Sequence, residues 1–278
     1  MNIIFRMTFM LSLAFLILIS SSSVSAKSSS GVYKDKVAVL MYHHVHDKDS
    51  SSSTISSMLF RDQLIYLRSK GYQFIRLEDF HHFLAGGAVP SNAVLITFDD
   101  GYESFYKVAY PILKELSIPA VNFTITSYLE KPSKTIPHLS YAQIKQMMAK
   151  STSIDFQCHT NQLHQKVGEK SALTYVNKKA GGKNALELHK SRVKQDTAAC
   201  INLLRKAGVK NPDSISYPFG IYSKTLFPTM LGAGVIYGYT TKPGLAKKGI
   251  NKLEIPRINA GSPDITPDVL YKRIKRLS

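Results

Sequence analysis

An α/β fold with a mostly parallel sheet and helices packed outside it is the architecture this sequence predicts. Three observations point there. Short apolar runs alternate with amphipathic stretches from Val37 onward, the rhythm of strand–helix–strand units. The clearest apolar runs end abruptly in polar, chemistry-bearing residues: Tyr42-His43-His44, Phe98-Asp99-Asp100 and Cys158-His159. Long polar loops, 48–57 and 165–184, then follow the strands that end in histidines. In a parallel barrel the loops at the strand C-termini build the active site, so these loops are expected to wall a cleft.

The elements are justified in chain order. Val37 to Tyr42 reads as a strand. Phe60 to Arg68 carries Phe60, Leu64 and Leu67 at helical spacing before Gly71 stops it. Ala93 to Phe98 is a buried strand, and Phe105 to Leu116 a helix expected to kink at Pro111. Ala120 to Thr124 is a strand. Tyr141 to Ala149 is a helix opened by Ser140, with Gln143 placed to close a capping box. Ile154 to Cys158 is a strand, Ala185 to Ala207 a long helix ended by Gly208, and Ser214 to Tyr217 a further strand.

The N-terminus carries Arg6, an apolar run from Met7 to Ile19, and Val24-Ser25-Ala26, the pattern of a cleavable secretory leader. The run is short of the ~20 apolar residues of a spanning helix. Residues 1–26 are therefore read as a signal peptide, 27–36 as a flexible linker and 37–278 as the working domain. A secreted or wall-associated protein is expected. Lys and Arg number 36 against 19 Asp and Glu, a formal charge of +17. That excess favours polyanionic surroundings. No nucleic-acid motif accompanies it, so anionic wall polymers are the expected contact, alongside simple surface solvation. The two cysteines, Cys158 and Cys200, allow one bridge at most, and Cys158 inside a strand reads as a buried free thiol.

Adjacent residues at a strand end diverge, so of Asp99 and Asp100 one can hold a metal while the other faces water or substrate. His159 and His164, five residues apart on a loop, can present two ring nitrogens to one cation. Two imidazoles and a carboxylate with open positions form a hydrolytic metal set. Tyr217-Pro218-Phe219-Gly220 closes another strand; proline and glycine around an aromatic make a sharp turn that can aim a backbone N–H into the cleft.

Thr97-Phe-Asp-Asp-Gly101, His159-Thr-x-x-x-His164 and Tyr217-Pro-Phe-Gly220, in this order, resemble the polysaccharide deacetylases, carbohydrate esterase family four with its NodB homology domain. The resemblance covers about Val37 to Asn259. It implies a distorted (β/α) barrel and a divalent metal, commonly zinc, with cobalt, nickel or manganese able to share the ligands. It assigns Asp99 as catalytic base, Asp100, His159 and His164 as metal ligands, and the Phe219 N–H to the oxyanion. The implied substrate is an acetylated glycan, an exopolysaccharide or cell-wall polymer, and acetate is released.

The pattern also departs from that family. Ser216 stands where many members carry a base-orienting arginine, the Asp-x-x-Asp-Trp motif is absent, and no histidine follows His189. Tyr42-His43-x-Val45 with the late histidine lost resembles the branch acting on poly-β-1,6-N-acetylglucosamine, which makes His43, ahead of His44, the expected acid. Arg257 is the remaining candidate to orient Asp99. Tyr42, Tyr217 and Phe219 are aromatic enough to stack on sugars, and tyrosines beside strands are equally core residues. Two other readings stay open: an O-acetyl esterase, and a catalytically weak wall- or carbohydrate-binding protein that keeps the fold.

Overall fold

A computed structural model describes residues 32–133, 135–151 and 153–278. The expected leader, 1–26, and the first part of the expected linker lie outside the described residues. Residues 32–36 are tied to the domain rather than free. Tyr33 is buried, its amide donates to Asn92 Oδ1 (3.1 Å), and its hydroxyl donates to the Ala93 carbonyl (2.6 Å).

The chain then runs β1 (Lys36–Tyr42), β2 (His44–Val45), β3 (Thr54–Ile55), α1 (Ser57–Ser69), β4 (Gln73–Phe74), α2 (Leu77–Leu84) and β5 (Ala93–Phe98). A π-helical turn, Phe105–Ala109, leads into α3 (Tyr110–Glu115). Next come β6 (Ala120–Thr124), α4 (Ser127–Glu130), α5 (Tyr141–Lys150), β7 (Ile154–Cys158), the small hairpin β8 (Lys166–Val167) and β9 (Lys170–Ser171), α6 (Lys178–Gly181) and α7 (Ala185–Lys206). The last part holds β10 (Ser214–Ser216), α8 (Phe227–Leu231), β11 (Tyr237–Tyr239), β12 (Ala246–Lys247), β13 (Ile258–Asn259) and α9 (Pro267–Leu277).

The main sheet runs β11-β10-β7-β6-β5-β1-β12, with β13 added to β1 and β4 to β5. All its pairings are parallel except β1 with β12. It curls into a half-barrel with helices around it, the distorted (β/α) barrel expected. Strands buried on both sides need continuous apolar runs, and β1 and β5 supply them: all six residues of β5 are buried. One apolar cluster, including Phe60, Phe98, Phe156 and Leu204, fills the space between sheet and helices; a second, including Val39, Phe80, Leu95 and Phe123, packs α2 on the sheet's other side.

The predicted elements sit within a few residues of the observed ones. The Ser140 capping box forms as expected, with Ser140 Oγ accepting from Gln143 N and Gln143 Oε1 from Ser140 N. At Pro111 the expected kink takes another form. The helix runs unbroken from Glu103, and the π turn Phe105–Ala109 lies just ahead of Pro111, altering the hydrogen-bond ladder where the proline has no N–H to donate. Helices α2 and α9 were not expected. Helix α2 is eight residues long and holds His81 and His82; its start is marked by Arg76 N donating to Asp79 Oδ2 (3.0 Å). Helix α9 is capped by Thr266 and sets Lys272, Arg273, Lys275 and Arg276 around buried Leu270 and Ile274.

The cysteine expectation is corrected. Cys158 of β7 and Cys200 of α7 form a disulfide, and both are fully buried. Local sequence gives Cys158 no partner; the pairing arises because α7 crosses β7 with Cys200 on its inward face.

Candidate active site

Strand register brings the site together. Tyr42 pairs with Phe98, so His43 and Asp99 leave the sheet side by side. Phe98 pairs with Asn122 and Thr124 with Cys158, which carries Asp100 and His159 to the same rim. Ile215 pairs with Cys158, so Ser216 comes up beside His159; Ile258 pairs with Leu40, so Arg257 arrives beside β1. Apart from Arg257, which precedes β13, these residues gather at the C-terminal ends of parallel strands, where barrel enzymes build their chemistry.

At this rim the backbone turns sharply. Asp100 (φ 72°), Thr160 (φ 66°) and Phe219 (φ 60°) all adopt the left-handed region, which costs a non-glycine residue on the order of 1 kcal/mol or more. Two glycines in the motifs are required sterically. A Cβ on Gly101 would lie 2.8 Å from Thr124 Cγ2, and one on Gly220 would lie 2.0 Å from Thr241 Oγ1.

Asp99 and Asp100 have different surroundings. Arg257 donates Nη1 to Asp99 Oδ1 (2.7 Å) and Nη2 to Oδ2 (2.6 Å); Ser216 Oγ also donates to Oδ2 (3.0 Å). The guanidinium is itself aimed by Nε donating to the Thr240 carbonyl (2.9 Å) and by Nη2 donating to Ser216 Oγ (2.7 Å). Burial pushes the Asp99 carboxyl up, but the Arg257 charge, with His159 and the guanidinium hydrogen bonds, holds it down at about 2. Asp99 is thus an ionised, bidentately held carboxylate.

Asp100 faces histidines. Its Oδ1 lies 3.2 Å from Nε2 of both His159 and His164. His159 Nδ1 donates to the Ser216 carbonyl (2.8 Å), which fixes the ring and leaves Nε2 as its ligand atom. Burial pushes the His159 imidazole down, and Asp100 with Asp99 more than offsets this to raise it. His164 rides on a loop whose Asn161 and Gln162 amides donate to Asp196 of α7 (2.9 and 2.7 Å). Asp196 and Cys200 are one helical turn apart, so the disulfide fastens the same face of α7 that holds the histidine loop. Two imidazole nitrogens and one carboxylate oxygen, oriented before any ion arrives, suit zinc or a similar borderline cation.

The remaining expected residues are sorted by exposure. His43 Nε2 lies 4.0 Å from Asp99 Oδ2 with its side chain 22% exposed, while its Nδ1 is buried without a hydrogen-bond partner. His44 points away from this cluster, to Ser104 and Asp49. Phe219 is 41% exposed, its ring 4.8 Å from that of His164. Among the described residues its N–H makes no hydrogen bond, because the turn begins with Gly220 donating to Tyr217.

Tyr42 and Tyr217 do not line a sugar site, a correction to that expectation. Tyr42 is fully buried and donates to Gln63 Oε1 (2.7 Å); Tyr217 is buried and donates to the Leu253 carbonyl (2.9 Å). Pro218 is buried too and shapes the turn. Ser216, a departure from the family pattern, bridges Arg257 and Asp99 through its hydroxyl, a role no spacing rule signals.

An ionised carboxylate beside a cluster of two imidazoles and a second carboxylate, at the open rim of a parallel half-barrel, is the arrangement of a hydrolase site. Relatives give the class a family. The sequence profile described as polysaccharide deacetylase matches residues 86–237. The chain belongs to that family and is an enzyme of the deacetylase class. It is 28% identical over 237 residues to the poly-beta-1,6-N-acetyl-D-glucosamine N-deacetylase of Staphylococcus aureus, covering 85% of this chain and 76% of that protein. The Staphylococcus epidermidis protein of the same name is 28% identical over 242 residues. Among solved structures, IcaB from Ammonifex degensii superposes with a TM-score of 0.72 at 27% identity, over 87% of this chain and 97% of that one. The Streptococcus pyogenes deacetylase PplD in complex with acetate gives 0.69 at 26%, over 87% and 99%.

Proposed function

We propose that this chain is an exported, metal-dependent hydrolase that removes N-acetyl groups from a polysaccharide containing N-acetylglucosamine, the β-1,6-linked polymer named for the staphylococcal relatives being the first substrate to test. The observation that carries the reading is the split between the two aspartates: Asp99 is committed to Arg257 and Ser216, Asp100 to two histidines.

Asp100, His159 and His164 hold the divalent cation, zinc by donor set, with cobalt, nickel and manganese as alternatives. When bound, such a cation polarises an acyl carbonyl and acidifies water. Asp99, aimed by Arg257, accepts a proton from the attacking water. The Phe219 N–H donates to the developing oxyanion. His43, open to the cleft on one side, passes a proton to the leaving amine as the amide C–N bond breaks, giving acetate and a free amino sugar. The exposed Phe219 ring makes a wall for the sugar.

Export rests on the leader pattern in residues 1–26, and no helix among the described residues is long and apolar enough to cross a membrane. The basic surface suits an environment of anionic wall polymers.

The test is acetate release from N-acetylated β-1,6-glucosamine oligomers by the chelator-treated chain before and after zinc is restored. Release restored by zinc supports the proposal. Release only from O-acetylated xylan oligomers replaces it with an esterase; metal binding with no release from any glycan replaces it with a binding protein.

A further inference from the structure

His44, His46 and Asp49 form a second cluster of metal-ligating side chains, apart from the one described. All three come from one short stretch, His44-Val-His46-Asp-Lys-Asp49, where β2 runs into the loop before β3. His44 Nε2 lies 2.9 Å from Asp49 Oδ2, and His46 Nδ1 lies 3.3 Å from Asp49 Oδ1. One ligand atom from each lies within 4.8 Å of the others. The two rings are stacked, centroids 5.1 Å apart and 14° from parallel, so both present an edge to the same side.

Three features separate this cluster from an ordinary surface ion pair. His44 is buried and its second nitrogen, Nδ1, is held by Ser104 Oγ (2.8 Å), the outer hydrogen bond that orients a ligating imidazole. His46 Nδ1 accepts from the Asp49 and Lys48 amides (2.9 and 3.4 Å), so it stands as an acceptor, the role a cation ligand also takes. An acceptor nitrogen 3.3 Å from a carboxylate oxygen sets two acceptors against each other, a contact that a shared cation relieves. Finally, the cluster opens onto a cavity of about 690 Å³, lined also by Glu103, Thr135 and Pro137, which gives an ion an entry path and room for waters on its open positions.

We propose that His44, His46 and Asp49 form a second divalent-cation site, selective for zinc-like borderline metals over calcium or magnesium because two of its three donors are imidazole nitrogens. Binding exchanges the His46–amide contact for the cation and fastens the 48–53 loop to His44. The Tyr102 ring lies edge-on to His44 at 5.2 Å, so the loop is pinned beside the residue that follows Asp100-Gly101.

The test counts metal on the chain stripped with chelator and dialysed against zinc. Two equivalents are expected for the unaltered chain, one for the His46→Gln/Asp49→Asn double variant and one for Asp100→Asn. His46 and Asp49 are partly exposed, so the double variant is expected to melt with the chelated parent; Asp49→Asn alone serves as a milder version with the second site weakened. Anomalous diffraction at the zinc edge then places the second ion between His44 and Asp49. A single equivalent on the unaltered chain, or a second one that survives the double variant, overturns the proposal. Because the count is independent of acetate release, its failure leaves the deacetylase reading untouched.

Discussion

Arg257 holds Asp99 across 158 residues of chain, Nη1 at 2.7 Å and Nη2 at 2.6 Å from the two carboxylate oxygens, with both side chains almost completely buried. A fork of this kind fixes the plane of the carboxylate as well as its charge.

Arg257→Ala is therefore expected to leave a buried carboxylate unpaired, costing about 3–5 kcal/mol of stability. Arg257→Lys keeps the charge and loses the fork. The folded Asp99 carboxyl sits near 2, below its ordinary value, so its contribution to stability is complete above about pH 4 and fades as pH falls through about 2. The gap between parent and Arg257→Ala should accordingly narrow on acidification. Urea unfolding at pH 7 and pH 3 measures this, and an unchanged gap would remove the pair from the acid response.

The two adjacent aspartates should behave differently when made neutral. Asp99→Asn is expected to keep its metal and lose turnover by 10²-fold or more. Asp100→Asn is expected to lose the metal of the His159–His164 cluster. Metal content and acetate release, measured on both variants, decide it: equal metal loss in the two contradicts the division.

His43→Ala should lower kcat by roughly 10²–10⁴ while leaving metal content unchanged, since proton donation is worth about that much and His43 ligates nothing. Unchanged turnover across neutral pH would take His43 out of the mechanism.

Asp155, near the start of β7 and at the end of the barrel opposite the site, supplies a control in stability alone. Burial pushes its carboxyl up to about 6, so the folded state prefers it protonated, and stability falls as pH rises from about 4 through about 6. Asp155→Asn is expected to be more stable than the parent by up to about 2–3 kcal/mol at pH 7.5 and close to equal at pH 4. Thermal melts at the two values, with kcat as reference, read this out.

The Cys158–Cys200 bridge closes a loop with a sequence separation of 42 residues. Removing such a cross-link costs about 4 kcal/mol in the chain-entropy account. Cys200→Ser should therefore lower Tm and, because α7 carries Asp196, loosen the His164 loop enough to weaken metal binding. A variant that melts lower yet binds metal unchanged would confine the bridge to stability.

Most of the barrel was legible in the sequence because β1 and β5 are buried on both faces and almost wholly apolar, while β7 alternates Ile154, Phe156 and Cys158 with Asp155 and Gln157. The late strands were not, since β11 and β12 alternate with polar and glycine residues and are only two or three residues long. The site divides in the same way. Asp99, Asp100, His159 and His164 sit in motifs whose spacing reports their strand ends. Arg257 could be named only as an arginine left over on a late strand, and Ser216 only as a substitution.

The sequence by itself determined the alternation of elements, the residues that end each strand, and the glycines at 101 and 220 that the turns need. Tertiary structure alone decided what holds each of the two adjacent aspartates, Arg257 and Ser216 for Asp99 and two histidines for Asp100, that Tyr42 and Tyr217 are core rather than sugar platforms, and that the two cysteines meet. The physical reason is range. Periodicity and turn chemistry act over a few residues and are written locally, whereas Arg257 reaching Asp99, Ser216 bridging them and α7 crossing β7 depend on strand register between segments far apart in the chain.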